Sequence, residues 1–203
     1  MTPSAFQLML FFMTLYPSLH SVPIPAAEVI GQTYKLALLL QSNTSALLNT
    51  YLSYQGSPFS SPGFSSSYLQ LDGLPEAAIS YRTWRGLSDE QRLTENYQAY
   101  TIYTEFFQLV LDDQGLLNPG QDDLLGMLRK TRMGIEGLLN NLASIMDTKG
   151  YQLPMVPPDP LMSASASISN FNRKVRGYVV CREYRNWMDR TVRDFTLLRD
   201  KYP

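Results

Sequence analysis

The chain has 203 residues, 44% of them hydrophobic, with 17 Lys/Arg against 18 Asp/Glu. That length allows one domain with a substantial core, and a formal net charge of −1 argues against a nucleic-acid partner. The only cysteine, Cys181, excludes an intramolecular disulfide, so packing must hold the fold and the thiol reads as a small buried hydrophobe.

The first stretch, "MTPSAFQLMLFFMTLYPSLHS", has an apolar run from Ala5 to Tyr16 followed by Pro17 and small residues. The run is short for a bilayer span, and it predicts a secretory signal over 1–21, cleaved near Ser21, with an uncleaved anchor as the competing reading. Residues 22–203 then form one secreted domain. The sole histidine, His20, falls inside the signal, which leaves the mature chain without His-based acid/base chemistry, catalytic triads or ordinary zinc sites. There is no glycine-rich phosphate loop, no nucleophile elbow and no calcium-loop spacing. The expectation is a protein that is not an enzyme and needs no cofactor or metal.

The first helical segment spans roughly Ala27 to Tyr54. Val29, Thr33, Leu36, Leu40, Leu47, Tyr51 and Tyr54 recur at spacings of three, four or seven, one stripe along a helix. Within it "NTS" makes Asn43 a glycosylation sequon bordering that stripe. A Ser/Pro/Gly-rich connection, 55–87, follows. The second segment opens at "SDEQ", a capping box with Ser88 as N-cap and Gln91 at N3, continues through Leu93, Tyr97, Tyr100, Phe107 and Leu111, and ends near Asp113.

"NPGQDD" opens the third segment, with Asn118 as cap, Pro119 at N1, and Asp122 and Asp123 in the first turn facing the positive end of the dipole. The acid pairs 112–113 and 122–123 are candidates for acid/base or metal chemistry, and a solvated face is the plainer reading. Leu124, Leu128, Ile135, Leu138, Leu142 and Ile145 form the third stripe, and Gly150 suits a left-handed C-terminal cap. The fourth segment runs from about Ser169 to Asp200, with Val175, Tyr178, Cys181, Tyr184, Met188, Thr191, Phe195 and Leu198 as its buried series.

Helices of this length reach about 35–45 Å at 1.5 Å per residue. A connection between parallel neighbours must travel back along that whole length, which takes about a dozen residues. The stretches 55–87 and 151–168 are long enough, whereas "QGLLN", 114–118, is far too short. The predicted fold is therefore all-α: a long-chain four-helix bundle, up-up-down-down, with two long crossovers. A helical bundle that binds lipid or coats a surface is the rival for its role, and it would require apolar side chains to stay exposed.

Four motifs carry a resemblance: "TYLSYQGSPF" (50–59), "TWRGLSDEQRLTENYQAY" (83–100), "GYQLP" (150–154) and "VCREYRNWMDRT" (180–191). In that order, over most of the mature chain, the sequence resembles the ciliary neurotrophic factor, cardiotrophin and cardiotrophin-like cytokine branch of the interleukin-6-type cytokines, as a lineage-specific member of the fish M-seventeen type. The resemblance implies a monomeric secreted cytokine that cross-links receptor chains to trigger kinase and STAT signalling. Its Phe-x-x-Lys pattern implies that Phe171 and Lys174, at the start of the fourth helix, contact the leukaemia-inhibitory-factor receptor. A helix staple under the preceding loop is the plainer role for the ring. The pattern W-x-x-R-x-x-x-D at Trp187, Arg190 and Asp194, together with Trp84, implies contacts of Arg190, Asp194 and Trp84 with an alpha receptor of the ciliary neurotrophic factor type. Trp187 is expected in the core, and Trp84 fits the core and the contact equally well. The shared signal-transducing glycoprotein chain is implied to use outward faces of the first and third helices, where Lys35, Gln41, Arg129, Lys130 and Arg132 lie.

From Ser169 onward nine Lys/Arg stand against four Asp/Glu. A basic stripe of this kind steers an acidic partner face, although a solvated helix face is the commoner origin.

Overall fold

The computed structural model describes residues 25–155 and 168–203; the predicted signal, His20 and the larger part of the second crossover lie outside the described residues. Among the described residues five helices follow in order: α1 (Ala26–Tyr54), α2 (Tyr81–Gly86), α3 (Asp89–Leu117), α4 (Asp122–Thr148) and α5 (Asn170–Lys201). Among the described residues no helix is long and apolar enough to cross a membrane.

Local signals set most of the boundaries. Ser88 caps α3 as the sequence predicts: its hydroxyl accepts the Gln91 N–H at 3.1 Å, and the Gln91 side chain accepts the Ser88 N–H at 2.9 Å. Ser169 caps α5 through the Asn172 N–H at 3.2 Å. At the end of α4, Gly150 takes φ +70°, with its N–H on the Asp147 carbonyl at 3.0 Å and the Tyr151 N–H on that of Met146 at 2.8 Å. Those two bonds satisfy carbonyls that the last turn would otherwise leave open.

Three expectations are corrected. Asn118 is the C-cap of α3 rather than the N-cap of α4, its N–H bonding the Gln114 carbonyl at 2.8 Å. Gly120, at φ +80°, breaks the run that Pro119 would need to begin a helix, so α4 starts at Asp122. α3 also continues four residues past Asp113, because Asp113 and Gln114 are buried and find partners on other elements. The short helix α2 has no counterpart in the sequence reading. Ser80 opens it by accepting the Thr83 N–H at 3.1 Å.

α1 packs on α4 and α5, and α3 packs on the same two, so α1 and α3 lie across a diagonal. Tyr51 near the end of α1 reaches Lys174 near the start of α5, and Arg92 near the start of α3 reaches Asp194 near the end of α5. Leu36 and Leu40 of α1 meet Gly137 and Gly134 of α4 in descending register. Every packed pair is antiparallel, which gives the up-up-down-down bundle with two crossovers.

The core follows the predicted stripes, with Leu36, Tyr54, Tyr97, Leu111 and Val175 half-buried along its edges. Its centre is aromatic. Tyr184 meets Tyr103 and Phe107 edge-on, at 5.6 and 5.1 Å between ring centroids. Cys181 is fully buried, and burial pushes its thiol well above the ordinary range, away from nucleophilic chemistry.

Candidate functional site

One end of the bundle gathers the end of α1, the end of α3 and the starts of α4 and α5. Phe171, in the first turn of α5, keeps 54% of its surface exposed. It leans on Phe59 of the first crossover, 5.7 Å between centroids, and Phe59 is only 1% exposed. Beneath it Phe64 stacks with Phe59 at 5.0 Å and meets Tyr178 edge-on at 5.1 Å. The exposed ring is thus the outermost member of a buried aromatic column.

Lys174, one turn along α5, is half-buried. Its ammonium donates to the Gln55 carbonyl at 2.5 Å, and its own carbonyl accepts from the Tyr51 hydroxyl at 3.0 Å. Gln114 donates to that same hydroxyl and accepts from Gln55, at 3.1 and 2.9 Å. Deeper, Arg176 grips Asp113 with two bonds of 2.8 Å, and Arg173 stands 3.5 Å from the same carboxylate. Burial pushes the Asp113 carboxyl up, and the pull of Arg176 only partly offsets it.

The opposite end holds the second set of expected residues, and the structure revises their placement. Asp194 is 0% exposed, Arg190 3% and Trp84 8%. One Asp194 oxygen accepts from Trp84 Nε1 at 2.8 Å and from Arg92 at 2.7 Å; the other accepts from Asn96 at 2.9 Å. Thr191 ties Asn96 to Tyr100 at 2.7 and 2.6 Å. Arg190 pairs with Glu95 and lies over the Trp187 ring at 4.7 Å. The charged atoms expected to face a partner are therefore occupied inside the bundle. Trp84 takes the core position of its two readings, with the guanidinium groups of Arg92 and Arg193 over its ring at 5.1 and 5.4 Å. What this end turns outward is Arg82, Arg85 and Arg193. Sequence reasoning missed Arg92 and Asn96, whose spacing of four was the available signal that both face one neighbour.

Lys35 of α1 and Arg129 and Lys130 of α4 are exposed, and Arg132 pairs with Glu136 at 3.5 Å, whereas Gln41 turns towards α5, where it donates to Asp189 at 2.8 Å. The face shared by α1 and α4 carries Lys130. Asn43 is exposed here, beside a crevice between the two helices. The acid doublets do not combine: Asp112 accepts from Gln108, Asp113 serves Arg176, Asp122 faces solvent, and Asp123 accepts the Tyr54 hydroxyl at 2.7 Å.

Residues 26–203 match the family described as plethodontid receptivity factor PRF. The chain is 49% identical over 195 residues to cardiotrophin-2 of Mus musculus, covering 96% of this chain and 95% of that one. It is 32% identical over 170 residues to cardiotrophin-1 of Mus musculus, with 81% and 82% covered. Ciliary neurotrophic factor of Sus scrofa is 24% identical over 172 residues, with 84% and 82% covered.

Proposed function

The chain belongs to the cardiotrophin and ciliary neurotrophic factor branch of the interleukin-6-type cytokines, and from that membership we propose that it is a secreted, monomeric ligand that cross-links cell-surface receptor chains. A leukaemia-inhibitory-factor-type receptor docks at Phe171 and Lys174. The shared glycoprotein signalling chain takes the α1/α4 face, and an alpha receptor takes the end built around Trp84. Holding two signalling chains on one rigid bundle brings their cytoplasmic kinases together and starts STAT signalling; the ligand itself performs no chemistry.

The single observation that carries this reading is the half-open Phe171 ring. An aromatic ring left exposed on a buried aromatic base is pre-positioned, so a partner gains its burial, about 1.5–3 kcal/mol, at little ordering cost. The bond from Lys174 to the Gln55 carbonyl fixes a cation one helical turn from Phe171 and joins the crossover to α5. At the other end, Trp84, Arg190 and Asp194 act as the frame that positions Arg82, Arg85 and Arg193 for the alpha receptor. The test is binding of purified receptor ectodomains to Phe171→Ala and Lys174→Ala variants. Undiminished affinity of the double variant for the leukaemia-inhibitory-factor-type receptor would remove the assignment.

A further inference from the structure

The short helix α2 buries one side chain, Trp84, and leaves Tyr81, Arg82 and Arg85 at the surface. Arg82 and Arg85 are three residues apart, which sets them side by side on the helix. The indole of Trp84 is fixed, because Asp194 accepts its Nε1 proton at 2.8 Å. Two neighbours lean on it. The Tyr81 ring lies 5.9 Å away, and the Arg193 guanidinium of α5 lies over the indole at 5.4 Å. Tyr81 nevertheless keeps 74% of its surface exposed, and Arg193 is exposed as well. One rigid tryptophan thus gathers an open aromatic ring and the arginines of two helices.

Arg82, Arg85 and Arg193 form no ion pair among the described residues. Nearby carboxylates have other partners: Asp194 holds Arg92, Glu95 holds Arg190, Asp89 accepts from Lys201 and Tyr202, and Asp189 accepts from Gln41. Glu76 and Glu90 are exposed and delimit the patch on either side in sequence. Like charges set side by side repel, so folding gains nothing from this cluster and a bound anion would relieve it.

The residue types narrow the partner. Guanidinium groups meet sulfate and carboxylate oxygens through paired hydrogen bonds. An exposed phenol ring offers a flat apolar face with a polar edge, which suits a sugar ring. Tyr81 is the one large apolar side chain exposed on α2, too little for insertion into lipid. We infer that Tyr81, Arg82, Arg85 and Arg193 form a docking surface for a sulfated glycosaminoglycan, with its sulfates on the arginines and a sugar ring against Tyr81. The surface shares arginines with the end proposed for an alpha receptor but does not rest on that docking, and it is tested on the isolated chain.

The probe is an immobilised heparin octasaccharide, read by surface plasmon resonance at about 0.15 M salt, with its fully desulfated counterpart alongside. The protein is expected to bind the first and not the second. Joint replacement Arg82→Gln, Arg85→Gln and Arg193→Gln should weaken binding about tenfold or more. Lys35→Gln, Arg129→Gln and Lys130→Gln together make the same charge change elsewhere on the bundle and should alter it by less than about twofold. Tyr81→Ala should weaken binding without changing its salt dependence, since no charge is lost. Arg193 touches a core tryptophan, so the pair Arg82→Gln and Arg85→Gln, whose side chains bond nothing among the described residues, separates binding from folding and should also bind more weakly. No binding at this salt, equal binding of the desulfated probe, equal losses in the two triple variants, or full affinity in either the paired variant or Tyr81→Ala would overturn the inference. Binding confined to phosphatidylserine vesicles would put a membrane in place of the polysaccharide and overturn it too.

Discussion

The Tyr51 hydroxyl crosses directly over Gly177 to reach the backbone of Lys174, and a Cβ at position 177 would stand 2.2 Å from that hydroxyl. Both partners lie in the interior, so neither has room to yield. Gly177→Ala is therefore expected to overpack this crossing and break the Tyr51 bond, costing about 2–3 kcal/mol. Thermal unfolding should show a melting temperature lower by roughly 5–10 °C. Because the same tyrosine holds Gln114 and the start of α5, the loss should also loosen amide protection around Lys174.

Phe171→Ala should behave in the opposite way. The ring is half-exposed and rests on Phe59 without closing the core, so unfolding stability should change by less than about 1 kcal/mol. Affinity for the leukaemia-inhibitory-factor-type receptor ectodomain should fall by about thirtyfold or more, the scale of an interface anchor. Surface plasmon resonance and a chemical melt on the same sample separate the two effects.

Asp194→Ala is expected to destabilise the protein by about 3–5 kcal/mol, since it strands Arg92, Trp84 Nε1 and Asn96 in a dry site. A denaturant midpoint measures this. Any loss of alpha-receptor binding should track the unfolded fraction, whereas Arg193→Ala should weaken binding with little change in the midpoint.

The C-terminus supplies a pH-dependent contact. Asp89 accepts from Lys201 at 2.6 Å and from Tyr202 at 2.7 Å, joining the end of α5 to the start of α3. Partial burial raises the Asp89 carboxyl, but those two bonds and the Lys201 charge outweigh it and hold it below the ordinary 3.8. A carboxyl depressed in the folded state adds stability above its unfolded value and loses it as pH falls through the folded one. The stability gap between the unaltered chain and Asp89→Asn should hold at neutral pH and close below about pH 4. A gap that widens on acidification would contradict this.

Asn43 is exposed, with Ser45 of the sequon also at the surface. Secreted from mammalian cells, the protein is expected to carry a glycan there that Asn43→Gln removes, read as a mass shift. Since Asn43 lies on the α1/α4 face, the unglycosylated variant should bind the shared signalling chain more tightly.

The bundle was legible because four long stripes repeat with helical period, and connection lengths alone separate parallel from antiparallel neighbours. Ser88 and Gln91 announced one boundary to the residue. Asn118 misled because the same residue type suits the end of one helix and the start of the next, and the left-handed Gly120 decides between them. Arg190 and Asp194 were recognisable as a pair, but spacing does not tell a polar network inside a bundle from a polar face outside it. Arg92 and Asn96, facing them from α3, hold the answer. Phe171 could be placed by its motif, whereas its support came from Phe59, more than a hundred residues earlier and within a loop without periodicity.

The lone thiol gives experimenters a clock. A maleimide dye should find nothing to label on Cys181 while the bundle is closed, and its rate of reaction should report how often the whole structure opens. A cysteine introduced at the surface could then be tagged selectively on the intact protein, leaving the native sulfur silent.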